Sequence, residues 1–338
     1  VAREARDSLR RRDTPMIRVT RFEADGSVRC GGDELLTPQD PAHGAIWIDL
    51  EGPDPRFEPF LVECGFHPLA IEDTFTLQHQ PKVEEYGDTF FVLARGLDFN
   101  LGEPRETEEI GTLKLAAFLS KRRLVTLHRA PLKSVNLVFA RLDESKRAFP
   151  EGAAQILWSI CDEMMDLYAP LIDQIAEEID AVEEQVLSDP QREHLERILD
   201  LRRRFATLRR NVLPHRQVFG HLASTRSGPI DEVAALNFRD TQDNVVRLAD
   251  SIEQQRDLLS NVKDTYLSVV AQRTNDIMRV LTVFSAVLLP LSLVAGIYGM
   301  NFERMPELHE PWGYPMALGV MAAITVGLLL WFRRKKWI

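Results

Sequence analysis

Two apolar runs close the chain. Val280 to Ile297 is eighteen residues without a charge, and Tyr314 to Phe332 is nineteen more. As a helix at about 1.5 Å per residue, each is long enough to cross the ~30 Å hydrocarbon core of a bilayer. Only Tyr298 to Gly313 lies between them, so the pattern predicts a transmembrane hairpin with a short connecting loop. Upstream of Arg279 the chain is charged and soluble in character, which places most of its mass on one side of the membrane.

That upstream portion divides by pattern. Residues 1 to 16 read as a disordered N-terminus. Ile17 to Phe22, Ala45 to Leu50, Phe90 to Leu97, Thr112 to Leu119 and Leu124 to His128 have strand character, with Ser120 to Arg123 as a hairpin turn. Pro55 to Gly65 and Pro68 to Phe75 read as short helices, so 17–150 is expected to be an α/β domain. From Glu151 to Pro190 there are eleven Asp or Glu and no Lys or Arg; from Gln191 to Arg216 there are eight Arg against three acids. An acidic helix followed by a basic one suggests a helical hairpin over 151–227, although two solvated faces would give the same pattern.

After Gly228-Pro229 comes the longest expected element. Ile230 to Ile297 has one proline, Pro290, and no glycine before Gly296. Val245, Leu248, Ile252, Leu259, Val262, Tyr266 and Val269 recur in steps of three, four or seven, a coiled-coil-like seam. We therefore expect a stalk helix over 228–279 that continues into a first transmembrane helix at 280–298. A loop at 299–313, a second span at 314–332 and a basic tail at 333–338 complete the chain. The fold class read from this pattern is an α+β membrane protein, with an N-terminal cytoplasmic α/β domain, a long stalk helix and two C-terminal spans.

Charge sets the orientation. Arg279 precedes the first span and Arg333 to Lys336 follow the second, while the connecting loop carries Glu303, Glu307 and Glu310 against Arg304. By the positive-inside rule both termini are expected on the cytoplasmic side. A net charge of -10 argues against nucleic acid as a partner and suits a soluble part that handles cations. Cys30, Cys64 and Cys161 are odd in number and widely spaced, which suggests neither a disulfide framework nor a structural zinc site.

Along the first span Thr274, Met278, Leu281, Ser285, Leu288, Ser292 and Ala295 share one helical face that leads to Gly299. A stripe of small and hydroxyl residues in a membrane helix serves either helix packing or a water-bearing path. Two spans cannot enclose such a path, so transport would require an oligomer.

At the end of this stripe the chain resembles a known family. Tyr298-Gly299-Met300-Asn301-Phe302, then Met305-Pro306-Glu307-Leu308 and Gly313-Tyr314-Pro315, is similar to the signature of CorA magnesium transport proteins. The resemblance continues through Thr274 to Thr282, Ile71-Glu72-Asp73, His79 to Glu84 and the tail Arg333 to Trp337. It implies a homopentamer in a prokaryotic inner membrane, with the first span lining the pore and Gly299, Met300 and Asn301 ringing its outer mouth. Five neutral carboxamides could accept hydrogen bonds from a hydrated Mg2+, which sheds water reluctantly. The resemblance further implies a hydrophobic constriction at Met278 and Leu281, with polar positions at Thr274 and Asn275.

Regulatory divalent ions are implied, by the same resemblance, at Glu72, Asp73 and Asp240, with Asp264 as an acidic position near the pore. Most carboxylates are simply exposed to solvent, and that reading competes at each of these positions. Glu303 and Glu307 could attract cations at the mouth, or merely keep an exposed turn soluble. The expected function is a passive, voltage-driven importer of Mg2+, also passing Co2+ or Ni2+, gated by internal Mg2+ and using no organic cofactor. Neither a GxxxxGK[ST] loop nor HExxH spacing occurs, and no enzyme is expected. Zinc transport, as in ZntB relatives, is the nearest alternative; a membrane-anchored scaffold or sensor is a second.

Overall fold

The computed structural model describes residues 15–23, 27–76, 79–98, 111–145, 152–226, 228–300 and 310–337. The chain divides into two compact units, the first comprising residues 1–184 and 192–262 and the second 185–191 and 263–338.

The first unit is built on a seven-stranded sheet of order β2-β1-β3-β7-β6-β5-β4. The strands are β1 (Met16–Phe22), β2 (Val28–Gly31), β3 (Ala45–Glu51), β4 (Lys82–Tyr86), β5 (Thr89–Leu97), β6 (Thr112–Leu119) and β7 (Arg123–His128). Central β3 and β7 pair in parallel and the other neighbours are antiparallel. Both strands of that parallel pair are buried along their whole length, as expected of strands covered on two faces. On one face Ile46, Ile48, Leu50, Phe91, Phe118 and Val125 pack beneath Phe57, Phe60, Leu61 and Ile71 of helices α1 (Phe57–Glu63) and α2 (Pro68–Phe75). On the other, Trp47 stacks on Phe139 of α3 (Lys133–Ser145) with ring centroids 3.9 Å apart.

The edge strands β2 and β4 carry none of the apolar alternation that marks the inner ones, so the pattern did not predict them. Their sequences, Val-Arg-Cys-Gly and Lys-Val-Glu-Glu-Tyr, hold the charges that keep exposed edges from pairing with other chains.

The helical part of this unit also differs in detail from expectation. The acidic stretch is two helices, α4 (Ala153–Asp166) and α5 (Tyr168–Ser188), parted at Leu167. Pro170 has no N–H to donate to Asp166, so the i→i−4 ladder cannot run through this point. The basic helix α6 (Arg192–Val212) faces α5 through Glu178, which binds both Arg197 and Arg204. Helix α7 (His215–Ser224) follows Pro214. Helix α8 (Glu232–Tyr298) then runs for 67 residues, close to the predicted limits, and Val245, Leu248, Ile252, Leu259 and Val262 of its seam are buried. Its first turns dock on α4: Trp158 Nε1 donates to Thr241 Oγ1 at 3.0 Å, and that hydroxyl donates to Asp162 Oδ1 at 2.9 Å.

Helix α8, whose C-terminal part lies in the second unit, and α9 (Gly313–Arg334) are each long and apolar enough to cross a membrane, and only 6% of each apolar segment is buried. Arg273 on α8 donates to Asp189 Oδ1 at 2.6 Å. Helix α9 ends in a left-handed Lys336, φ 57°, with Trp337 N–H donating to Phe332 O and Lys336 N–H to Arg333 O. This is a Schellman cap, and the Phe332 and Trp337 rings supply its apolar contact at 5.7 Å.

The interior of the sheet holds one buried ionic node. Arg18 on β1 donates Nε and Nη2 to Asp49 Oδ2 at 3.0 and 2.7 Å. Thr126 Oγ1 donates to Asp49 Oδ1 at 2.5 Å, and His128 Nε2 lies 3.1 Å from the same oxygen. His128 Nδ1 faces the Ala130 carbonyl at 2.8 Å, so both ring nitrogens meet acceptors and the ring is an imidazolium. Burial alone would raise the Asp49 pKa; the charge and hydrogen bond of His128, with Arg18 and Thr126, outweigh it and hold the carboxyl at about 2. Burial likewise opposes charge on His128, but Asp49, the Ala130 carbonyl and Glu51 raise its pKa above the ordinary value.

The sign of the pH dependence follows from linkage. The Asp49 contribution is present above the ordinary carboxylate range and lost as pH falls toward about 2. The His128 contribution is complete below its ordinary pKa of 6.5 and lost as pH rises through its raised folded value. Asp49→Asn leaves the buried His128 and the part-buried Arg18 without the carboxylate they share and should destabilise the first unit by about 3–5 kcal/mol. A clearly lower melting temperature for the detergent-solubilised chain is the expected outcome, and an unchanged one would refute the node's role.

Candidate ion pathway and carboxylate sites

The residues that the sequence suggests for an ion pathway lie on the C-terminal part of α8. Thr274, Asn275, Met278, Leu281, Ser285 and Ser292 are all exposed in the single chain, Met278 and Leu281 at 55% each. Their steps of four and three average 3.5 residues, so the stripe drifts by about 20° per heptad on a straight helix. Thr274 donates its hydroxyl to the Val270 carbonyl at 2.9 Å. Its oxygen lone pairs thus remain available to a hydrated ion. Pro290 sits inside α8, where it has no N–H to give the residue one turn earlier.

Helix α8 stops at Gly299. Gly299 N–H still bonds the Ala295 carbonyl at 2.9 Å, while Met300 N–H bonds Ile297 at 3.2 Å in a tighter turn. A Cβ on Gly299 would lie 3.1 Å from the Ala295 carbonyl oxygen, so close approach to the preceding turn is what favours glycine here. Asn301, Glu303 and Glu307 lie outside the described residues.

The four sequence-selected carboxylates have distinct surroundings. Glu72 and Asp73 are both on α2, Glu72 exposed and Asp73 half-buried. Asp73 Oδ2 accepts from Lys82 Nζ at 2.5 Å, and His79 Nε2 lies 3.0 Å from Oδ1. Lys82 also donates to Glu84 Oε1 at 2.8 Å, and Tyr86 donates to Glu84 Oε2 at 2.9 Å. Burial works against the Lys82 charge, but the hydrogen bonds it donates to Asp73 and Glu84, with their charges, prevail and raise its pKa. Sequence reasoning did not assign these partners, although His79, Lys82 and Glu84 stand together in the stretch that carried the family resemblance. What hid the pairing is that α2 and β4 must fold together before it exists.

Asp240 is exposed near the start of α8, beside the buried Thr241. Burial raises the pKa of its neighbour Asp162; the Thr241 hydrogen bond opposes this, and the charges of Asp166 and Asp240 add to it. A cation bound at Asp240 would relieve that repulsion. Asp264 is exposed, with Lys263 Nζ 3.1 Å from its Oδ1. Among the described residues no hydrogen bond or ion pair joins Glu72 or Asp73 to Asp240, so the single chain does not assemble them into one cation site.

Asp49, Glu51 and His128 bring three potential ligand atoms within 4.8 Å of one another. Asp49 already accepts two bonds on each oxygen, and Arg18 Nη2 lies 3.6 Å from Glu51 Oε2. A metal there would have to displace a guanidinium and a proton, so the triad is a structural node.

Comparison with known proteins identifies the family. The family model described as CorA-like Mg2+ transporter protein matches residues 42–334. The cobalt/magnesium transport protein CorA of Thermotoga maritima is 34% identical over 275 residues, covering 81% of this chain and 77% of that protein. The complete structure of the CorA magnesium transporter from Methanocaldococcus jannaschii superposes with a TM-score of 0.81 at 23% identity, over 96% of this chain and 98% of that one. The ZntB cytoplasmic domain from Vibrio parahaemolyticus gives a TM-score of 0.62 at 16% identity, over 76% of this chain and 98% of that one. At such identities the two structural likenesses speak for the fold. By the match across most of its length and the identity to a CorA protein, this chain belongs to the CorA-like Mg2+ transporter family.

Proposed function

We propose that the chain forms a homopentameric, channel-like importer of Mg2+, also passing Co2+ and Ni2+, in a prokaryotic inner membrane with both termini cytoplasmic. The observation that carries this reading is the hydroxyl-bearing stripe of α8, exposed in the single chain and leading to the turn at Gly299-Met300. A lone hairpin leaves that stripe facing lipid, whereas a ring of copies turns it toward water. Asn301 then rings the outer mouth and accepts hydrogen bonds from an ion that keeps its waters. Met278 and Leu281 close the path by dewetting, and Thr274 and Asn275 receive the ion below it. Glu303 and Glu307 concentrate cations outside. Moving two charges inward across ~100 mV releases about 4.6 kcal/mol, enough to drive uptake without ATP.

Internal Mg2+ provides the gate. It binds Glu72 and Asp73 of one subunit together with Asp240 of a neighbour, ties the cytoplasmic domains and favours the closed state. Asp264 adds negative charge near the pore. To bind, Mg2+ must compete with the Lys82 ammonium already on Asp73. Zinc transport shares the fold of the cytoplasmic domain, but Met300 and Met305 to Leu308 favour the magnesium branch.

Three outcomes are expected in potential-clamped proteoliposomes. Asn301→Ala should cut voltage-driven Mg2+ influx by about 10–100-fold, as for loss of an outer-shell partner of a metal; Zn2+ entry driven by a proton gradient would instead support the zinc reading. Asp73→Asn combined with Asp240→Asn should leave influx insensitive to internal Mg2+, and retained sensitivity would exclude both from the sensor. Lys82→Met removes the competing cation and should lower the internal Mg2+ concentration that closes the path; a rise would show that Lys82 supports the site.

A further inference from the structure

Behind α2 lies a cavity of about 550 Å³ that ion passage does not use. It opens at the carboxyl ends of β3 and β7, between Gly52 after one strand and His128-Arg129 at the end of the other. These two are the parallel pair of the sheet, and in open α/β sheets the crevice beyond the carboxyl ends of the strands is where ligands bind. The volume falls within the ~300–1,000 Å³ range of small-molecule sites.

Its charge is unlike that of the chain as a whole, which carries -10. Arg95, Lys114 and Arg129 line it, and His128, whose charge is met by Asp49, stands in its wall. Lys114 Nζ donates to the carbonyls of Asp73, Thr74 and Thr76 at 2.7, 2.6 and 2.5 Å. Those acceptors are neutral, so they orient the ammonium without cancelling its charge. Burial, reinforced by Arg95 and opposed by Asp73, lowers its pKa to about 8, which leaves it largely protonated at pH 7. Arg95 is held in place by the His79 carbonyl and the Thr112 hydroxyl at 2.9 and 3.0 Å. Arg129 is exposed and makes no ion pair among the described residues. Of the acids lining the cavity, Asp54 is bound by the Arg56 guanidinium at 2.7 Å, which leaves Glu58 against the cations. Phe75 and Leu113 add an apolar wall.

We propose that this cavity binds a small polyanion through its phosphate groups, with the Arg129 guanidinium as the exposed clamp and Arg95 and Lys114 as the fixed positive ground. A guanidinium matches phosphate oxygens two at a time, and several clustered cations favour a ligand with more than one negative charge. Lys114 also fastens the end of the helix that carries Glu72 and Asp73, so occupancy acts on that helix directly.

The test is isothermal titration of the full detergent-solubilised chain, in Mg2+-depleted buffer of constant ionic strength, with tripolyphosphate, ATP and citrate. The expected result is one saturable site per chain for tripolyphosphate, weakened about tenfold or more in Arg129→Glu by loss of a charge-assisted bond. Arg129→Gln should give a smaller loss in the same direction, and it keeps the test informative if the reversed charge disturbs folding. Hydrogen exchange should show protection confined to peptides that cover the cavity lining and the end of α2, residues 52–58, 73–76, 112–114 and 127–129. Tighter binding of ATP than of tripolyphosphate, or equal binding, supports the phosphate anchor, the former assigning the nucleoside to the apolar wall. Equal affinity in wild type and both variants, citrate binding without tripolyphosphate binding, or protection elsewhere would overturn it. No ion flux is needed, so the outcome is independent of the transport reading.

Discussion

A single helix of 67 residues has to satisfy two solvents, and the rest of the chain is arranged around that constraint. In its N-terminal part the seam is Val245, Leu248, Ile252, Leu259 and Val262, all buried. In its C-terminal part the same steps of three and four bring up Thr274, Met278, Leu281, Ser285 and Ser292, all exposed. The period persists while the chemistry changes from aliphatic to small and hydroxyl-bearing. An aliphatic seam pays its way by leaving water; a hydroxyl stripe in lipid gains nothing from burial and needs polar partners, water or other helices, to be stable.

Carboxylates in this chain sort by how many of their lone pairs are already taken. Asp49 accepts from Arg18 twice, from Thr126 and from His128, and nothing is left for an ion. Asp73 is half-buried and holds one ammonium and one imidazole, a state that a divalent cation can contest. Glu72, Asp240 and Asp264 are exposed and keep most of their capacity. This gradation, rather than acidity as such, separates a carboxylate locked into the fold from one with capacity left for a cation. The cationic cavity behind α2 adds a second polarity: one helix carries acids on its outer side and is clamped by Lys114 at its end.

Much of the architecture was legible from local pattern. Both apolar spans, the long helix, and strands β1, β3, β5, β6 and β7 declare themselves through length and periodicity, which burial on a buried face or in lipid enforces residue by residue. The edge strands β2 and β4 did not, because an edge must carry charge and so loses the alternation that marks a strand. The break at Leu167 was equally hidden: Pro170 removes one donor, and proline within the first turn of a new helix looks the same as proline in a continuous one.

Sequence alone determined the two apolar spans, their basic flanks, the stripe ending at Gly299-Met300-Asn301 and the family to which these residues point, since each is a matter of neighbours along the chain. Only tertiary structure decided which charges meet. Arg18 and Asp49 are 31 positions apart and Asp49 and His128 are 79 apart, and they form one node because the register sets Arg18 opposite Asp49 and Glu51 opposite His128. Lys82 reaches Asp73, and Lys114 the end of the same helix, by the same route. Ion pairing depends on separations of a few ångströms, and periodicity along a chain says nothing about such distances until the sheet has closed.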